Sequence, residues 1–225
     1  MARTAAAGAN PLEAGAAPST PPSTTPLPPF TGTKFSQLRE RYEVLWKGCV
    51  VRPERAALVA KVRAAVLKGR PRYDAVASAT GAPWWFIGIV HGLEGNFKFN
   101  THLHNGDPLG VRTVQVPRGR PPVWNPPSDW ASSAIDAVTY EGFAHLTDWS
   151  LARSLFRFEG FNGFGYYGRS VNSPYLWSFS NQYLKGKYSH DHGYDPDLVS
   201  EQCGAAVVLK AMVAAGDLAD PGVAP

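Results

Sequence analysis

Beyond residue 34, apolar residues recur every three or four positions along most of the chain, the period of amphipathic helices. Phe35, Leu38, Tyr42, Leu45, Trp46 and Cys49 mark one face of a helix over 35–50. Pro53 is placed to open a second helix, with Leu58, Val62, Ala65 and Val66 as its stripe and Gly69 as its stop. A short third helix fits 72–80, closed by Gly81. Pro83 opens a fourth through PWWFIGIVHGLEGN, with Trp85, Ile89 and Leu93 roughly on one face.

The helical period vanishes between Phe97 and Pro127, where Gly, Pro and Asn dominate. There Val111, Thr113 and Gln115 alternate with Arg112, Val114 and Val116, which predicts one or two short strands, read as a hairpin. A loop this long is generally functional. Helices resume with Ser128 as N-cap and run to about Leu146, and Ser150 caps another through Phe158. A Gly/Tyr-rich loop, NGFGYYGRS, precedes a helix opened by Pro174 over PYLWSFSNQYL. The last helix has Asp195 as N-cap, Pro196 in its first turn and Gly216 as its stop. The expected fold is mainly α with a small β-hairpin or loop insertion.

Composition divides the 225-residue chain. Of the first 30 residues, 23 are Ala, Pro, Ser, Thr or Gly, whereas 26 of the 27 aromatic residues follow Phe30. Residues 1–33 are therefore expected to be a disordered tail or linker, since they bury too little apolar surface to offset ordering entropy. Residues 34–220 form the expected folded domain. No apolar run is long enough to span a membrane, and the N-terminus lacks the apolar core of a secretory signal. Two cysteines, Cys49 and Cys203, are too few for a disulfide framework or a Cys-built zinc site, and stand as buried thiols or one bridge.

The net charge of +4 hides a split. Residues 34–72 hold eleven Lys and Arg against three Glu, while residues 73–225 hold ten against fourteen acidic residues. A basic segment is either a solvated helix face or an attraction to a polyanion such as a bacterial wall. No nucleic-acid-binding motif accompanies it.

Among the carboxylates, Asp129, Asp136, Glu141, Asp148, Asp197 and Glu201 read as ordinary helix residues. Glu94 differs, because it ends an apolar helix beside Phe97 and Phe99. A carboxyl held against aromatic surface loses hydration when ionised, which favours the protonated form that a general acid needs. The alternative is a water-facing Glu at a helix end, though a negative charge there opposes the helix dipole. His102 and His104 would project to one side of a strand, with His91 and Asp107 as possible further zinc ligands. No His-Glu-x-x-His accompanies them. Asn105-Gly106-Asp107-Pro108 reads as a tight turn that puts His104 and Asp107 at a loop edge.

The helix-ending Glu94-Gly95-Asn96-Phe97, a polar loop carrying Asp107, and Phe161-Asn162-Gly163-Phe164-Gly165-Tyr166 follow in order. This order resembles the goose-type lysozyme and lytic transglycosylase superfamily. That superfamily has a Glu-Ser-x-Phe-like motif and a Tyr-Asn-x-Gly-like cleft loop; here Gly95 stands for the Ser and Phe161 for the Tyr. The strings THLHNGDPL, VPRGRPP, EGFNGFGYYGR and PYLWSFSNQYLKGKY are similar to those of a group of bacterial and phage proteins, some described as active on peptidoglycan. The resemblance spans residues 81–190.

The resemblance implies a lysozyme-like domain that cleaves the bond between N-acetylmuramic acid and N-acetylglucosamine. Glu94 would be the acid. Asp107 would orient water for inverting hydrolysis, or the sugar's own 6-hydroxyl would attack and leave a 1,6-anhydro end. Glu159 is the alternative second carboxylate. His104, Asn105, Asn162, Tyr166, Tyr167, Tyr175 and Trp177 are the candidate sugar contacts, the aromatic ones being equally readable as core. Neither a cofactor nor a metal is implied. The expected partner is peptidoglycan, met by a monomer through phage lysis or an injection-type route. The alternatives are a non-catalytic wall-binding module and a zinc peptidase built on His102 and His104.

Overall fold

The computed structural model describes residues 26–124, 129–189 and 193–222. Seven α-helices form among them: α1 (Phe35–Lys47), α2 (Ala56–Thr80), α3 (Trp84–Gly95), α4 (Trp130–Tyr140), α5 (Leu151–Asn162), α6 (Pro174–Trp177) and α7 (Ala205–Ala214). The sheet is a two-residue antiparallel pair, β1 (Lys187–Tyr188) and β2 (Tyr194–Asp195), with Lys187 opposite Asp195 and Tyr188 opposite Tyr194. The expectation of a mainly α fold is met, but the small antiparallel sheet lies at 187–195 and not within 97–127, where the alternation predicts a hairpin. None of the described helices is long and apolar enough to cross a membrane.

The chain forms two compact units, Met1–Arg63 with Ser150–Pro225, and Ala64–Trp149. In the first, α5 packs against α1, α6 and α7. Its buried residues include Leu155, Phe158 and Phe161, which meet a core containing Leu38, Leu45, Trp177 and Leu209. Cys49 and Cys203 are both buried free thiols in this unit. The segment just before α1 is held to it: Arg41 donates to the Pro28 carbonyl at 3.1 Å, and Phe30 stacks on Tyr167 with ring centroids 4.4 Å apart. Residues 1–25 of the expected tail lie outside the described residues.

The second unit is built around α3, whose residues are buried on nearly every side. A Cβ on Gly88 would come within 2.8 Å of the Tyr73 ring and 2.9 Å of Val66. Glycine at 88 therefore sets how closely α2 and α3 approach. At the start of α2, Val59 rather than Leu58 faces inward, since Leu58 is exposed.

Four expected boundaries move. Helix α2 runs unbroken for 25 residues, past Gly69 and with Pro71 inside it. Its buried positions are Val59, Val66, Gly69, Tyr73, Val76 and Thr80, spaced seven, three, four, three and four. Pro71 sits on the exposed side of that stripe, and a side chain on Gly69 would collide with the Tyr73 ring, so packing overrides the breakers. Helix α4 stops at Tyr140 because Gly142 turns left-handed (φ 72°) and Phe143 N–H caps the Val138 carbonyl at 3.0 Å. Its N-cap is Asp129, which accepts from Ser132 N–H at 2.6 Å; Ser128 lies outside the described residues.

Helix α6 is a single turn, ended by Ser178. Helix α7 begins ten residues after Asp195, which lies in β2 instead. Asp195 does cap, but its Oδ1 takes the N–H groups of Asp197 and Leu198 in a local turn that no helix continues. Gly204 is the true N-cap residue, packed so closely on the Leu176 carbonyl that no side chain fits.

Candidate functional site

Glu94 stands in the last turn of α3 and is 7 % exposed. The helix ends through two consecutive left-handed residues, Asn96 (φ 47°) and Phe97 (φ 59°), both non-glycine and so strained. Phe97 N–H closes onto the His91 carbonyl at 3.3 Å, and this turn carries the Phe97 ring back over Gly92. Gly95 is equally confined, since a Cβ there would lie 2.7 Å from Thr101 Oγ1 and 3.0 Å from the His91 ring. Local packing thus requires a glycine at position 95.

His91 locks the same turn. Tyr73 hydroxyl lies 2.9 Å from His91 Nδ1, and the Lys98 carbonyl lies 3.2 Å from Nε2. A carbonyl only accepts, so Nε2 carries the proton and Nδ1 accepts from the tyrosine. Burial pushes His91 down to about 4, leaving the ring neutral at pH 7.

The stretch from His102 to Trp124 forms no hairpin ladder. His102 N–H meets the Asp107 carbonyl at 2.7 Å and closes the predicted Asn105–Pro108 turn, with Gly106 at φ 76°. Beyond it, side chains take the backbone groups that a ladder would have used. Asp107 Oδ2 accepts from Asn105 Nδ2 at 3.0 Å, Val114 N–H at 2.8 Å and Gln115 N–H at 2.9 Å. Thr113 Oγ1 donates to the Pro117 carbonyl and accepts from Arg120 N–H. Val111, Val114 and Val116 consequently face outward.

Helix α4 holds this loop through one polar face. His102 places Nδ1 2.6 Å from Ser133 Oγ and Nε2 2.6 Å from the Val111 carbonyl, so both of its ring nitrogens are used. His104 Nε2 lies 2.8 Å from Asp136 Oδ2, and Arg120 Nε donates to the same oxygen at 3.0 Å while its guanidinium covers the Tyr140 ring. Burial pushes His104 down to about 4, more than Asp136 raises it, and its Nδ1 is buried with no partner. Among the described residues no group of three or more His, Cys, Asp or Glu is arranged to hold a metal. Asp136, which reads from sequence as an ordinary helix carboxylate, is the anchor of the loop.

The remaining candidates lie in the first unit. Tyr42 and Tyr167 both donate to Glu159 Oε2, at 2.5 and 2.6 Å, while Oε1 is buried with no partner. Burial pushes the Glu159 carboxyl up to about 7, against the two hydroxyl bonds and the nearby Arg41 charge. At 1 % exposure it cannot touch a polymer. Asn162, Tyr166, Tyr175 and Trp177 are buried too, with Tyr166 hydroxyl accepting from Tyr188 N–H at 3.3 Å. Tyr42 and Tyr73 are the partners that sequence reading misses; both carry an apolar helical stripe, and nothing in that pattern tells of a buried polar bond.

No protein-family model, no curated protein and no solved structure matches this chain.

Proposed function

We propose that this protein cleaves the glycan strands of bacterial peptidoglycan, with Glu94 as the general acid. The observation that carries this reading is a carboxyl buried in the last turn of an apolar helix and followed at once by a strained, left-handed Asn96–Phe97 turn. Cleavage of the glycosidic bond needs a carboxyl group held in place to protonate the bridging oxygen. Strain of this kind persists only where the surroundings over-determine it, and it clusters at functional sites. Two glycines, a tyrosine-bound histidine and Thr101 over-determine it here.

Asp107 decides between the two products. Its Oδ2 is committed to three N–H donors, which fix the loop and turn that oxygen toward the backbone rather than toward a water. This favours attack by the muramic acid 6-hydroxyl. Glu94 gives its proton to the leaving oxygen and then takes one from the 6-hydroxyl, leaving a 1,6-anhydro end. His102 and His104 are held by Ser133, Val111 and Asp136, and among the described residues no group of three metal ligands forms around them. Digestion of purified peptidoglycan, with the soluble products weighed by mass spectrometry, tests the proposal. Glu94→Gln should release nothing while keeping its fold.

A further inference from the structure

Four valines of one loop in the second unit face water: Val111, Val114, Val116 and Val123, exposed at 58, 60, 64 and 76 %. An apolar side chain exposed singly is ordinary, whereas several gathered in one loop mark a surface that meets something. The loop is closed on itself. Thr113 N–H donates to the Arg120 carbonyl at 2.9 Å, and Gly119 N–H donates to the Thr113 carbonyl at 2.8 Å. Val114, Val116 and Arg118 therefore belong to one short closed segment, flanked by Val111, Arg112 and Val123. Arg120 ties its base to Asp136 on α4.

The backbone of this segment asks little of water. The N–H groups of Thr113, Val114, Gln115, Gly119 and Arg120 all find partners within the protein. Pro117, Pro121 and Pro122 have no N–H to satisfy. A segment whose donors are met internally enters an apolar medium at far smaller cost than one whose donors rely on water. The charge is of one sign. Between Pro108 and Trp124 the ionisable residues are Arg112, Arg118 and Arg120, and the first two are exposed. The two carboxylates that touch the loop are turned inward, Asp107 to the loop's own backbone and Asp136 to Arg120 and His104.

We infer that this loop docks on an anionic lipid bilayer, with Val114 and Val116 entering the boundary between head groups and chains while Arg112 and Arg118 meet the lipid phosphates. A soluble polyanion would engage the arginines and leave the valines idle. A protein partner would be met chiefly by aromatic and arginine anchors, among which valine is under-represented. Apolar area joined to basic charge is the combination that holds a peripheral protein at an anionic membrane. The contact is independent of Glu94.

Co-sedimentation of the full chain with vesicles tests it, comparing equal parts phosphatidylcholine and phosphatidylglycerol with phosphatidylcholine alone. The protein should pellet with the anionic vesicles, less so as salt is raised, and stay in solution with the neutral ones. Arg112→Gln and Arg118→Gln should each weaken binding about fivefold. Val114→Ser combined with Val116→Ser should weaken it at least about tenfold. All four side chains are exposed, so the melting curve should not move. Glu94→Gln should bind as the wild type does, which separates this contact from the proposed cleavage. No pelleting with the anionic vesicles, equal binding to the two kinds of vesicle, or full binding by the valine variant would each overturn the inference. So would self-association of the wild type that the valine variant loses, since the loop would then serve a second copy of the chain.

Discussion

The ring of Phe97 lies over Gly92, so close that a Cβ on the glycine would stand 2.5 Å from Phe97 Cζ. This contact fixes the turn that ends α3 one residue beyond Gly95 and so fixes Glu94. Gly92→Ala should displace the ring and cost about 1–3 kcal/mol, the usual range for overpacking. Chemical denaturation measures the loss. An alanine variant as stable as the wild type would show that the contact does not hold the turn.

The second unit should weaken in mild acid. His91 and His104 titrate at about 4 when folded, against an ordinary 6.5. Above about 6.5 both rings are neutral in the folded and unfolded chains, and their contribution to stability is full. As pH falls from there toward about 4, only the unfolded chain takes up protons, and stability is lost. Each ring contributes a slope of about 1.4 kcal/mol per pH unit within that window. Hydrogen exchange of α3 amides at pH 7 and pH 5 reads this directly, and equal protection at the two values would contradict it.

The first unit has a group with the opposite sign. Glu159 titrates at about 7 when folded, against an ordinary 4.5. Its contribution is full below about 4.5 and is lost as pH rises through about 7, because the unfolded chain then releases a proton that the folded one retains. Glu159→Gln removes the titration and keeps an acceptor for Tyr42 and Tyr167. The variant should match the wild type at pH 5 and exceed it by about 2 kcal/mol at pH 8. Denaturation at both values checks the difference, and the same offset at pH 5 and pH 8 would rule it out.

Asp107 holds the backbone of Val114 and Gln115. Asp107→Asn exchanges charge-assisted bonds for weaker neutral ones, worth about 1–2 kcal/mol together. The two amides should exchange roughly tenfold faster. The anhydro character of the products should persist, since Asp107 positions the loop rather than a water. A switch of product in this variant would return Asp107 to the chemistry.

Where the sequence and structure part company, a specific side-chain contact is responsible. Helices α1, α3 and α5 are legible because their stripes and their proline or polar starts agree with one another. At α2 the local breakers Gly69 and Pro71 mislead, because the decisive partner of Gly69 is the Tyr73 ring packed onto it. At residues 111–116 alternation is real, but it reflects Thr113 turning inward to its own loop rather than a ladder. Glu94 stands out in sequence because its apolar context is local. Asp136 and Tyr42 do not, because His104 lies 32 residues from the first and Glu159 lies 117 residues from the second. Periodicity records which face is buried, and carries no record of which polar atoms meet there.

The most direct measurement of the central claim is the mass spectrum of soluble fragments released from purified peptidoglycan by the wild type and by Glu94→Gln. The wild type should release fragments with 1,6-anhydro-muramic ends and the variant none, with the two proteins unfolding at the same temperature. Equal release by both proteins, or release of free peptide ends in place of glycan ends, would contradict it.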